Sequence, residues 1–165
     1  MQRIALSFAA ATAALCASPL MARDSLGVFD NWAAFRDSAA PRCYAIAMAQ
    51  PSSLSRDFEP FATVGTWPKK GVRGQIHFRL SRRMAKGATI RLAIGDRRFE
   101  LVGGGADGWA ADRRMDAAIV AAMRSAGSMT VGSIDERGRR FSNTYRLTGV
   151  ATAMDAATLG CARLR

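Results

Sequence analysis

The chain carries one imidazole, His77, and the stretch Gln75-Ile76-His77-Phe78-Arg79 alternates so that the ring falls on the polar side of a strand. A hydrolytic triad would need that ring beside a hydroxyl or thiol and a carboxylate, and the neighbouring sequence prepares neither. One histidine and so few cysteines offer no zinc spacing. The acidic residues are scattered, and Asp135-Glu136 reads as a turn, so nothing in the sequence supports the facing carboxylates of glycoside hydrolysis. Gly103-Gly104-Gly105 and Gly108 lack the G-K-[ST] ending of a phosphate-cradling loop, because Ala106-Asp107 follows. A flexible turn is the plainer reading of these glycines. Trp109 beyond them is expected in the core, with stacking on a sugar ring as the alternative. His77 is expected to be an exposed strand histidine, and no cofactor or metal is called for.

The cysteines depend on where the chain resides. Met1-Gln2-Arg3 carries one positive charge, and residues 4–15 form an uncharged run rich in Ala and Leu. That pattern is a secretory signal, with an apolar run too short to span a bilayer. Cleavage is expected after Ala22, with Ala17 as the second choice. Leu15 occupies the position where a lipid-attachment signal at Cys16 wants a small residue, so lipidation is not expected. Residues 23–165 then form one domain, without a later run of the roughly 20 apolar residues a membrane helix needs. Periplasmic or secreted location follows. Cys43 and Cys161 are the two cysteines left. A nucleophile or a metal ligand are possible uses for Cys43, but an even count in an exported chain is most simply a disulfide.

Arginine supplies the positive signal. The formal net charge is +11, and loss of Arg3 with the leader brings it to +10. Lys69, Lys70 and Lys86 are the only lysines. Arg79, Arg82 and Arg83 surround a turn with Lys86, while Arg97-Arg98 and Arg137, Arg139 and Arg140 sit at other hairpin ends. If those ends converge, their guanidinium forks suit phosphates or carboxylates. The polyanions of an envelope are lipopolysaccharide, anionic lipids and acidic glycans. Nucleic acid would also be bound through its phosphates, but export argues against it as the natural partner. The plainer reading is a solubilising surface, in a chain whose arginine and alanine content also fits a GC-rich genome.

These residues must be positioned by the elements around them. Phe29, Trp32 and Phe35 are spaced by three, so Asn31 is expected to mark a turn between two strand pieces. All three aromatics are expected at the first edge of the core, Trp32 most of all. Residues 42–48 alternate, with Cys43, Ala45 and Ala47 on one side and Tyr44, Ile46 and Met48 on the other. Strands follow over residues 61–67, 75–80, 88–94 and 97–102, with turns at Pro68-Lys69-Lys70-Gly71 and Gly95-Asp96. Residues 112–125 change to helical spacing through Met115, Ile119, Ala122 and Met123, with Asp112 as N-cap and Gly127 as the stop. Strands over 128–134 and 141–147 precede a helix over 150–159 that carries Cys161 past its end. The order is about six strands, a helix, two strands and a final helix. The fold class is therefore mainly β, an antiparallel sandwich-like or curved-sheet domain with one embedded helix and a short C-terminal helix.

Phe29-Asp30-Asn31-Trp32, then Cys43-Tyr44-Ala45-Ile46, then the helix ending in Gly127 before Ser128-Met129-Thr130-Val131, then Tyr145-Arg146-Leu147-Thr148-Gly149 and a terminal Cys161 occur in a distinctive order. In that order they resemble the bacterial invasion associated locus B proteins across most of residues 28–161. The resemblance implies a β-rich fold, a cell-envelope or secreted location, and a role in envelope function or host contact. It brings no catalytic residues. The expected function is non-enzymatic binding of an envelope or host partner, or of anionic surface molecules such as lipopolysaccharide or acidic glycan. The alternatives are an exported hydrolase with an unrecognised site near His77, and a purely structural periplasmic protein.

Overall fold

Alternation of apolar and polar side chains over most of the chain dictates strands that bury one face, and short turns pair them in antiparallel fashion. The computed structural model describes residues 23–162; the expected leader, 1–22, lies outside the described residues. Ten strands are present: β1 Asp24–Phe29, β2 Trp32–Asp37, β3 Arg42–Met48, β4 Phe61–Trp67, β5 Val72–Arg79, β6 Ile90–Ile94, β7 Arg97–Gly104, β8 Asp107–Trp109, β9 Ser128–Ile134 and β10 Arg140–Arg146. Helix α1 covers Arg113–Ser125 and α2 covers Val150–Cys161. The strands form one antiparallel sheet in the order β1-β2-β3-β4-β5-β8-β7-β6-β9-β10.

The expected fold class is the one observed, with eight strands ahead of α1 instead of about six. β8 is the strand that the sequence reading did not include. Gly103 and Gly104 do not end a block but continue β7, and the turn falls at Gly105, whose φ is 62°. A Cβ at Gly103 would collide with the Asp107 carbonyl oxygen, so close pairing of β7 with β8 requires glycine there. The expected flexible glycine turn is therefore a β-hairpin. Two smaller expectations are also corrected. Helix α1 ends in extended backbone at Ala126 (φ −100°, ψ 157°), with no left-handed Gly127, and Cys161 lies within the last turn of α2. Asp112 does cap α1, its side chain accepting the Met115 N–H at 2.8 Å.

The sheet rolls until its two ends nearly meet. Phe78 of β5 and Tyr145 of β10 lie 6.0 Å apart between ring centres. The Trp32 indole donates to the Arg146 carbonyl oxygen at 2.9 Å, and the Gln50 N–H donates to that of Thr144 at 2.7 Å. These bonds cap one edge of β10, blunting a strand that would otherwise present open backbone groups. The roll encloses one principal core, with Trp32, Ile76, Phe78, Leu92, Val131 and Tyr145 almost fully buried.

Both helices pack on the sheet by one stripe each. α1 buries Ile119, Ala122 and Met123 against β5, β6 and β7. α2 buries Val150, Ala153, Met154, Ala157 and Cys161 against β1 to β4. Cys161 reaches Cys43 on β3, forming a disulfide with a Cα–Cα separation of 5.7 Å. Ala34, Cys43, Ala157 and Cys161 make a second small buried cluster there. Trp32 is in the core as expected and Phe29 packs against it. Phe35 is not: it lies on the outer face of β2, 5.7 Å from the Tyr44 ring. The spacing by three is broken by the Asp30-Asn31 turn, after which Trp32 and Ala34 share one face and Phe35 the other.

Candidate functional site

The sheet's outer face carries the chemistry-bearing side chains in two groups. The first lies across β4, β5, β8 and β7, where Thr63, His77, Trp109 and Val102 are successive cross-strand partners. His77 Nε2 lies 2.9 Å from Asp107 Oδ1, and Arg79 Nη1 donates to Asp107 Oδ2 at 2.6 Å. The Trp109 ring stacks on the imidazole at 5.0 Å, and Phe61 meets it edge-on at 5.7 Å. His77 does point outward, but it is a half-buried, hydrogen-bonded ring and not a bare surface side chain. Trp109 is 36% exposed and stands outside the core, because β8 enters the sheet in a register that turns it outward. With its Nε2–H donated to the carboxylate, His77 is oriented in the manner of a general base. Among the described residues no hydroxyl or thiol is hydrogen-bonded to its other ring nitrogen.

The eight arginines singled out by spacing divide four ways. Arg82 is buried, which corrects its expected place on a basic surface. Its Nη1 donates to Asp135 Oδ2 at 3.0 Å, and its Nε and Nη2 donate to the Ser55 carbonyl oxygen at 3.0 and 2.9 Å. Burial pushes the Asp135 carboxyl up, but the N–H groups of Arg139 and Arg137 and the guanidiniums of Arg139 and Arg82 outweigh it and hold it at about 2. Arg82 thus pins the β9–β10 turn to the loop ahead of β4, Arg139 closes that turn onto Asp135, and Arg137 lies exposed in it. Arg79 belongs to the Asp107 cluster and stacks with Arg83 over Phe58, at 5.0 and 6.0 Å. Arg97 lies over Phe99 at 5.5 Å.

Only Arg98 and Arg140 of the eight come together around one groove. It has a volume of about 800 Å³ and lies over β7, β6, β9 and β10. Its floor is made by Ala93, Thr130, Gly132 and Ser142, small outward residues on adjoining strands. A Cβ at Gly132 would come within 2.6 Å of the Phe141 carbonyl oxygen, so the floor is bare backbone at that position. Arg91 joins the rim and was missed; the signal for it is its outward place between Ile90 and Leu92, opposite Glu100 on β7. Among the described residues neither Arg91 nor Arg140 has an ion-pair partner, and Arg98 donates to the Gly95 and Arg97 carbonyl oxygens. Three guanidiniums and one carboxylate, that of Glu100, line the groove, so its rim carries net positive charge.

No protein-family model matches the chain, and no curated protein matches it in sequence. Among solved structures, the crystal structure of invasion associated protein B from Bartonella henselae is similar, with a TM-score of 0.55 at 13% identity. The likeness covers 81% of this chain and 95% of that one. At so low an identity, fold is what is shared, and it is the fold that the ordered aromatic, cysteine and helix motifs had pointed to. The chain has the curled antiparallel fold of invasion associated protein B, stapled by Cys43–Cys161.

Proposed function

We propose that this chain is an exported, non-enzymatic protein of the cell envelope or its surroundings that binds anionic surface molecules, lipopolysaccharide or acidic glycan. The observation that carries the reading is the convergence of Arg91, Arg98 and Arg140 on a groove floored by small side chains. Bidentate guanidinium donors recognise sulfate, phosphate and carboxylate groups, and a floor of small side chains lets a chain of them pass. The disulfide fits an oxidising compartment, as an exported protein meets. The similar structure is named for invasion, and contact with host surfaces is the extension of the same binding role. Binding to an envelope or host protein is the companion form of this reading.

The test compares two charge reversals of equal size in the chain from residue 23 onward. Arg98→Glu with Arg140→Glu alters the groove, while Arg113→Glu with Arg114→Glu alters exposed residues at the start of α1. Binding to lipopolysaccharide and to a sulfated glycan should fall at least about tenfold for the first pair and little for the second, with strong salt dependence in the parent. Equal losses would show that net charge alone attracts the polyanion, and the groove reading would fail. His77→Ala tests the hydrolase alternative that the His77–Asp107 pair keeps open, since a binder tolerates it and a hydrolase of that design does not.

A further inference from the structure

A second groove opens on the other side of the molecule, where α1 and α2 diverge above β4 and β5. Its volume is about 600 Å³, within the range of about 300–1,000 Å³ that small-molecule pockets occupy. The floor is apolar and buried: Val64, Met154, Ala157 and the disulfide sulfur side of Cys161. Val120 and Pro68 extend the apolar wall toward the mouth. The polar side chains of the lining are Thr66, Thr158 and two arginines, with no carboxylate among them.

The two arginines differ. Arg124 is held across the helices by Asp155, with Nη2 to Oδ1 at 2.5 Å, so its charge is compensated. Arg73 is exposed and has no hydrogen-bond or ion-pair partner among the described residues. Lys69 and Lys70 precede it in the turn that joins β4 to β5. Gly74, next to Arg73, has a φ of 67° and stands beside Val120, where a Cβ would lie 3.6 Å from Val120 Cγ2. An apolar trough of molecular size with one uncompensated cation at its mouth complements a single aliphatic chain ending in an anion.

We propose that this groove binds a monoacyl anionic amphiphile, with the chain over Val64, Val120 and Met154 and the head group on Arg73. The site is independent of the arginine groove on the outer sheet face, and reversal of Arg98 and Arg140 leaves it intact. Head groups of two kinds, carboxylate and phosphate, share this chemistry.

The experiment titrates the chain from residue 23 onward with dodecanoate, dodecyl phosphate and dodecanol, each below its aggregation limit, and follows backbone amide signals. Saturable shifts confined to residues 64–74, 120–124 and 154–162 are expected with the two anions, and binding of dodecanol should be at least about tenfold weaker. Arg73→Glu should weaken anion binding at least about tenfold and leave thermal unfolding unchanged, because the side chain is exposed and unpaired. Val120→Phe should fill the trough and block all three ligands; should it fail to fold, the Arg73 result decides alone. Tighter binding of dodecyl phosphate than dodecanoate would identify a phospholipid-like head, and the reverse a fatty acid. Shifts spread over the whole surface, no saturable binding, or equal binding of dodecanol and the anions would overturn the proposal.

Discussion

Reducing the Cys43–Cys161 disulfide should remove about 4.9 kcal/mol of stability. That figure follows from loop-closure entropy for a sequence separation of 118 residues. It ranks among the largest single contributions available to a domain whose total stability is expected near 5–15 kcal/mol. Reduction is cleaner than substitution, because both sulfurs stay in the buried cluster with Ala34 and Ala157 and no cavity forms. Urea denaturation followed by circular dichroism, with and without reductant, reads the difference. For a slope of about 2 kcal/mol per molar urea, the midpoint should fall by about 2.4 M. The slope itself should rise, since the unlinked chain exposes more surface when unfolded. A loss below about 1 kcal/mol, with an unchanged slope, would refute the reasoning. It would mean that the denatured chain holds its ends together without the bond, so that the staple adds no constraint.

Two further outcomes follow from individual contacts. Trp32→Phe should cost about 1–3 kcal/mol in the same urea assay, because the Arg146 carbonyl oxygen loses its buried indole donor and the sheet ends lose their clasp; an unchanged midpoint would count against that clasp. Stability should also fall as pH drops from about 4 toward 2. The folded Asp135 carboxyl sits at about 2, below its ordinary 3.8, so its contribution is complete above the unfolded value and lost on protonation of the folded form. Asp37 and Asp155 are shifted in the same direction by their hydrogen bonds, whereas burial shifts Asp116 upward and opposes them. Asp135→Asn should be less stable at pH 7 and show a flatter acid limb than the parent; parallel curves would remove the ion network as the cause.

The two proposed grooves lie on one small domain, but they differ in kind. The outer-sheet groove offers several guanidiniums over a floor of small side chains, which would suit repeated charges along a polymer. The interhelical groove offers one unpaired cation beside a buried apolar floor, which favours one charge on one chain. The separate charge reversals, Arg98→Glu with Arg140→Glu and Arg73→Glu, distinguish the contributions of the two grooves.

Local patterning by itself determined much of this protein. Alternation in residues 42–48 and 75–80 set which side chains share a face, helical spacing with Asp112 set α1, and the cysteine count set the staple. Each of these depends on a period or a cap readable within a few residues. Tertiary structure alone decided the rest. Insertion of β8 between β5 and β7 turned Trp109 outward and brought Asp107 beneath His77 and Arg79, a pairing across about thirty residues of chain that no periodicity encodes. The roll of the sheet buried Arg82 against Asp135 while leaving Arg83 over Phe58 at the surface, although the two are neighbours in sequence. It also gathered Arg91, Arg98 and Arg140 from three strands onto one groove. Charge type is written residue by residue, but whether a guanidinium is spent on a buried carboxylate or left for a ligand depends on strand register and sheet order, which are properties of non-local pairing.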